Sequence, residues 1–237
     1  MIKFFRNIRK TLLNEGKTTK YLKYAIGEII LVMIGILLAI QVNNWNEERK
    51  KNISLGKSLG QIINDLKQDE ETLKIYEEME HKHLQYLEAI SNRNYNNIKL
   101  DSLLHNLDHY WYFFESDNAY STLKSNGLFS EIKNEGLKGN LTNYYERQYD
   151  HLEASSEFAE TFTNDRIVPF VLSNLDWDEN RIVDEKLVKE RMATTNLLQL
   201  VKFQIDVKRY CINQINYALA LNNTLRIEIK KEIDNLK

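Results

Sequence analysis

With 32 Lys and Arg against 34 Asp and Glu, this chain of 237 residues carries a formal net charge of −2 and gives no electrostatic reason to expect nucleic acid as a partner. It has 1 proline and 8 glycines, where ordinary usage would give about 12 and about 17; a turn-rich β fold needs more of both, so helices are favoured. The one cysteine, Cys211, excludes an intrachain disulfide and a lipid-modified cysteine near the N-terminus.

Residues 1–14 (MIKFFRNIRKTLLN) read as an amphipathic helix. Met1, Phe4, Phe5, Ile8 and Leu12 share one face, opposite Lys3, Arg6, Asn7 and Lys10. Such a helix suits either the surface of an anionic bilayer or a basic tail that fixes topology. Next comes the stretch from Tyr24 to Trp45, with an unbroken apolar run from Ile29 to Ile40. As a helix the stretch spans roughly 30 Å, the thickness of a hydrocarbon core. It is apolar all round, whereas a helix with one buried face alternates with polar positions. The expected organisation is a basic tail over residues 1–23, a transmembrane helix over 24–45 and an all-α bundle domain over 46–237.

Lys3, Arg6, Arg9, Lys10, Lys17, Lys20 and Lys23 precede the apolar run, and Arg49, Lys50, Lys51 and Lys57 follow it, diluted by Glu47 and Glu48. Lys and Arg near a membrane helix set its orientation, so the N-terminus is expected in the cytoplasm and the bundle in the periplasm, anchored in a bacterial inner membrane. The run is long for a signal peptide, and Ala39-Ile40-Gln41 is a poor cleavage site. An uncleaved anchor is expected.

Glu28 is the odd residue of the anchor, since a carboxylate at mid-membrane costs about 3 kcal/mol on insertion scales. It lies about one turn inside Tyr24, within reach of Lys20, Lys23 and lipid head groups. Its helical face also carries Gly35 and Ala39, a small-xxx-small pair that permits close helix approach. Interfacial anchoring, self-association with Glu28 hydrogen-bonded across the contact, and an ion path through an oligomer are the three readings of this face. Trp45 reads as an anchor at the far boundary.

No glycine or proline interrupts Asn43 to Leu55, so the helix is expected to continue outward. Leu55, Leu59, Ile62, Leu66, Leu73, Tyr76, Leu87 and Ile90 then follow 3-4 spacing, with Asp69, Glu80 and His83 in the remaining slots. That is bundle periodicity. Residues 92–97 (NRNYNN) predict a turn, and Asp101 caps a short helix, DSLLHNL. The aromatic run Tyr110 to Phe114 ends in a helix-start signal, Glu115-Ser116-Asp117, and Gly127 sits where the C-terminal cap of the following helix belongs. A long helix is expected from Leu137 to about Asn164, broken at Pro169, before an acidic loop over 176–180.

The last helix, from about Asn196, carries two apolar stripes on opposite sides. Leu198, Val201, Ile205, Ile212, Ile215 and Leu219 form one; Leu200, Phe203, Val207, Tyr210, Tyr217 and Leu221 form the other. Packing on one side needs only one, so the helix lies deep in the bundle or meets another subunit. Cys211 falls in the apolar arc and reads as a small buried hydrophobe.

Three constellations bear on metal chemistry. His105 and His109 are four residues apart with Asp101 one turn earlier, which on one helix face would offer three ligands, but Asn106 stands where a zinc protease needs its glutamate. Glu77, Glu80, His81 and His83 are dense in ligand types yet read as a solvated face with His83 on the inner stripe. Residues 176–180 (DWDEN) imitate a calcium loop, but Arg181 replaces its turn glycine and Leu187 its bidentate acid. No phosphate-cradling loop, nucleophile elbow or paired-cysteine motif is present, and neither a cofactor nor an enzyme is expected.

Ala25-Ile26-Gly27-Glu28, Ile34-Gly35-Ile36 and Gln41-Val42-Asn43-Asn44-Trp45-Asn46-Glu47 together resemble the opening signature of an uncharacterised bacterial membrane-protein family, domain of unknown function 6090. Ala119 to Gly127 (AYSTLKSNG) is similar to a second stretch of that family, TYxxLKSSG. The resemblance implies an architecture and no activity. The expected role is that of a membrane-anchored interaction, scaffold or sensor-like module, with the bilayer and a second copy or another protein as partners. The alternative is a metal-binding protein or metal-dependent enzyme built on His105 and His109.

Overall fold

The computed structural model describes residues 18–94, 98–179 and 181–236. The amphipathic helix expected over 1–14, part of the turn expected over 92–97 and Asn180 of the acidic loop lie outside them. The described chain is all α apart from one short hairpin, and it divides into two units, residues 1–54 and 55–237.

The first helix, α1 (Thr18–Ser91), contributes to both units. In the first unit it is long and apolar enough to cross a membrane, and none of its apolar window is buried. Every large apolar side chain from Ile29 to Ile40 is at least 45% exposed, and Trp45 is 64% exposed. Nothing lies within 4 Å of where a Cβ on Gly35 would stand; Ala39 is exposed and Glu28 half-buried.

The second unit begins at Leu55, the first fully buried side chain of α1. From there the 3-4 stripe is buried as its spacing requires, except that Tyr76 is half-buried, and Asp69, Glu80 and His83 are buried with it. A 3-10 turn (Leu100–Ser102) and α2 (Leu103–Leu107) follow, then the extended aromatic stretch and α3 (Asn118–Ser125). Gly127, at φ 72°, takes the left-handed position just after α3, and its N–H donates to the Lys124 carbonyl. That position favours the residue without a Cβ.

The long helix expected to end near Asn164 continues unbroken to Asn174. It comprises α4 (Glu135–Thr142), a π turn (Asn143–Gln148), α5 (Tyr149–Phe162), a second π turn (Thr163–Ile167) and α6 (Val168–Asn174). Asn134 caps its start, its side-chain oxygen accepting from the Leu137 N–H at 3.1 Å. The buried positions explain the π turns. Leu137, Leu141, Tyr145 and Tyr149 advance by fours, as do Ala159, Thr163, Ile167 and Val171. In an α-helix each step of four drifts about 40° around the axis; a wider turn absorbs the drift and keeps the row inward. Pro169 therefore does not break the helix. The Val168 N–H reaches back five residues to the Thr163 carbonyl, and proline, with no N–H to offer, follows where the ladder is already interrupted.

The acidic stretch is a hairpin, not a plain helix-linking loop. β1 (Trp177–Asp178) pairs antiparallel with β2 (Arg181–Ile182), Trp177 facing Ile182, and Glu179 turns at φ 44°. Asp184 then caps α7 (Glu185–Thr194) by accepting from the Lys186 and Leu187 N–H groups. The final helix, α8 (Leu197–Asn235), buries the core of its first stripe: Val201, Ile205, Ile212 and Ile215. On the second stripe Val207 is buried, but Phe203, Tyr210 and Tyr217 are 45%, 42% and 55% exposed. The helix is therefore not enclosed on all sides by its own bundle.

The core falls into two apolar clusters. One gathers Leu55 to Leu73 of α1 with Tyr144, Tyr149 and Ile215 to Ile229. The other gathers Leu84 to Ile90 with α2, Ile167 to Met192, and Leu197, Val201, Ile205 and Ile212 of α8.

The two exposures on the second stripe of α8 predict opposite responses to one substitution. Val207→Lys buries an unpaired ammonium and destabilises the bundle by several kcal/mol, whereas Tyr217→Lys changes stability by less than about 1 kcal/mol. Denaturant unfolding followed by circular dichroism reads both.

Candidate functional site

Polar groups on the buried face of α1 gather two constellations in the core. The first centres on Asp69, which is 5% exposed. Its Oδ2 accepts from the Tyr144 hydroxyl at 3.0 Å and from Tyr149 at 2.5 Å. The first π turn and the residue after it supply those two tyrosines. Asn222 of α8 completes the layer, donating to the Leu66 carbonyl at 2.7 Å and to the Tyr144 oxygen at 3.1 Å. Burial pushes the Asp69 carboxyl up to about 6, against the two tyrosine hydrogen bonds and with help from the nearby Asp65 charge. Burial likewise raises the phenols of Tyr144 and Tyr149, with the Asp69 charge adding to it.

The second lies at the seam between the apolar clusters. Lys208 of α8 reaches Glu80 Oε1 at 3.0 Å, with both side chains 1% exposed, and donates to the His109 carbonyl at 2.6 Å. Burial pushes the Glu80 carboxyl up, and the Lys208 ammonium pulls it back. Asn106 donates to the Ser102 carbonyl at 2.7 Å, so its Oδ1 faces His83 Nδ1, 3.0 Å away, as an acceptor; His83 therefore carries its proton on Nδ1. The His83 and His109 rings stack with centroids 4.1 Å apart, and His105 meets His83 edge-on at 5.4 Å. Burial depresses His83 to about 4 and His109 to about 3, and the Lys208 and His105 charges push the same way. Both imidazoles are neutral at ordinary pH. Gln204 closes the layer, donating to the Leu107 carbonyl at 2.9 Å.

The metal candidates are thus arranged differently from the helical face that Asp101, His105 and His109 suggested. α2 ends at Leu107, so His109 leaves the helix and lies on His83, while Asp101 accepts from the Ser102 hydroxyl. Imidazole lone pairs lie in the ring plane; two stacked rings aim them side by side, whereas a metal needs them converging at about 2 Å. Among the described residues no group of three or more His, Cys, Asp and Glu is placed to hold a metal. Glu80 is a core residue and not part of a solvated face; His81 is exposed. Cys211 is buried, with its thiol pushed up to about 12 by burial. Glu28, Gly35, Ala39 and Trp45 belong to the other unit, on a helical segment whose apolar window is not buried.

Sequence reasoning singled out Asp69, Glu80 and His83 but missed their partners. Lys208 stands seven residues after Val201 and seven before Ile215, and Asn222 seven after Ile215. Heptad spacing along the first stripe of α8 was the signal that could have found both. Tyr144 and Tyr149 carried no such signal, because the π turn shifts their register.

The fold and these buried layers define an all-α bundle protein in which one long helix supplies both an apolar, unburied segment and a polar-studded core stripe. Residues 28–168 match the model of a family of unknown function, DUF6090, and the chain belongs to that family. No curated protein and no solved structure matches it.

Two outcomes follow from the buried charges. Lys208→Met leaves Glu80 alone in the core and destabilises the bundle by about 3–5 kcal/mol, and adding Glu80→Leu restores most of that loss; chemical denaturation measures both. The Asp69 carboxyl binds its proton more tightly in the folded chain, at about 6, than at the ordinary 3.8. Its contribution to stability is therefore largest below that lower value and falls as pH rises through about 6, by about 3 kcal/mol in all. His83 and His109, depressed when folded, act in the opposite sense. The comparison is therefore wild type against Asp69→Asn, and the stability difference shifts toward wild type on going from neutral pH to pH about 4.

Proposed function

We propose that this protein is a single-pass membrane anchor that holds an all-α interaction module, of scaffold or sensor-like character, on the periplasmic side of a bacterial inner membrane. One observation carries the reading: α1 leaves its apolar side chains from Ile29 to Ile40 uncovered, then turns a buried stripe into the bundle from Leu55 onward. At about 1.5–3 kcal/mol for each large apolar side chain left in water, that run would hold back on the order of 20 kcal/mol of burial. A bilayer supplies the missing apolar surroundings. The basic residues before Tyr24 favour a cytoplasmic N-terminus.

Phe203, Tyr210 and Tyr217, seven residues apart on α8 and left exposed, support a protein partner or a second copy on the bundle, because aromatic residues are enriched where interfaces form. Gly35 and Ala39 support close helix pairing in the membrane. The buried Glu80–Lys208 pair and the histidine stack serve as register-setting polar contacts in this reading, and the metal alternative has no converging ligand set behind it.

A reporter fused after residue 237 is expected to be active in the periplasm and silent in the cytoplasm, and the chain to resist extraction from membranes by carbonate. A reporter active only in the cytoplasm overturns the assignment. Crosslinking in native membranes followed by mass spectrometry identifies the partner. The double substitution Tyr210→Lys with Tyr217→Lys is expected to remove the crosslink while helical content stays unchanged.

A further inference from the structure

A cleft of about 220 Å³ opens beside the Asp69 layer. Asp69, Leu73 and Tyr76 of α1 line one side, and Phe113, Phe114 and Ser116 of the aromatic stretch line the other. We propose that this cleft binds a small organic cation, a quaternary ammonium or an amine, with Asp69 as its counter-ion and Tyr76, Phe113 and Phe114 as its aromatic wall.

Asp69 is a buried carboxylate that no cationic side chain pairs with among the described residues. Its two tyrosine donors both address Oδ2, and the charge acting on it is another acid, Asp65. The nearby cations are engaged elsewhere, since Lys74 and Arg226 both hold Glu70, at 2.7 and 2.6 Å. A desolvated anion without a counter-charge is unfavourable, and a bound cation would supply one. The surroundings have the same sign. Burial and the Asp117 charge raise Asp65, and burial with Asp117, Glu153 and Asp150 raises Glu115. Such a field draws cations in.

The wall chooses the kind of cation. Tyr76 is held rigid by stacking on Trp111 at 4.9 Å and by donating to the Tyr112 carbonyl at 3.1 Å. Phe113 stands edge-on to Tyr149 at 4.9 Å, and Phe114 is 78% exposed. Aromatic faces attract alkylated ammonium groups, whereas calcium or magnesium needs several oxygen ligands, and one carboxylate among rings does not provide them. At about 30 Å³ per water-sized group, the cleft holds about seven non-hydrogen atoms, the size of choline. The proposal stands apart from the membrane-anchor reading, because binding is measured whichever side the bundle occupies.

The test is calorimetric titration of the full chain, in maltoside micelles free of choline head groups, with choline and with its neutral isostere 3,3-dimethylbutan-1-ol. Choline is expected to saturate one site per chain and the alcohol to bind at least tenfold more weakly. Asp69→Asn is expected to lose at least tenfold in choline affinity and Phe114→Ala several-fold, with circular dichroism unchanged. Should Asp69→Asn fail to fold, the exposed Phe114 variant and the choline-to-alcohol ratio decide. Absence of saturable binding by choline and by propylamine overturns the proposal. So does an alcohol affinity within twofold of choline, or variants that bind choline like wild type.

Discussion

The buried face of α1 is the constraint on which the packed unit depends. Leu55, Leu59, Ile62, Leu66, Leu73, Leu87 and Ile90 draw an apolar line along it, and Asp69, Glu80 and His83 occupy that same line. An apolar line alone tolerates sliding by a turn; three polar groups in it do not, because each needs its partner at one height. Asp69 meets Tyr144 and Tyr149, Glu80 meets Lys208, and His83 meets Asn106. Three stretches distant in sequence are thereby fixed in register against one helix. This is the best-attested use of buried polar groups, which add little net stability and much uniqueness.

Much of the architecture was legible in the sequence. Scarce proline and glycine pointed to helices, and 3-4 spacing gave both the α1 stripe and its polar interruptions. Gly127 marked a helix end through the one backbone conformation that favours it. What was not legible came from departures from a 3.6-residue period. Pro169 read as a break because an α-helix cannot pass it freely; a π turn directly before it removes the conflict. The acidic stretch read as a loop because two-residue strands carry no periodicity. His105 and His109 read as a ligand pair because four-residue spacing means one face only while the helix lasts, and it stops at Leu107. The partners of the α1 acids were hidden for a simpler reason: a lysine on an apolar stripe is easily passed over as surface until the carboxylate it faces is known.

Asp69 and the two stacked histidines respond to acid in opposite directions. Asp69 holds its proton more firmly in the folded chain, while His83 and His109 resist theirs, and burial is the leading cause in all three. Desolvation always favours the neutral form, which for an acid is the protonated one and for an imidazole the free base. A core that contains both kinds offsets part of its own pH sensitivity.

The two π turns between Glu135 and Asn174 bear on how this protein tolerates insertion and deletion. Each holds one residue more than an α-helix of the same height would use. A wide turn therefore takes up one extra residue without turning the helix beyond it away from the core. Deleting one residue within the first π turn would leave an ordinary α-helix whose flanking rows still face inward, whereas a deletion inside α5 would swing everything beyond it by about 100°. Among related chains, changes of length along this segment are to be expected at the two wide turns and not between them.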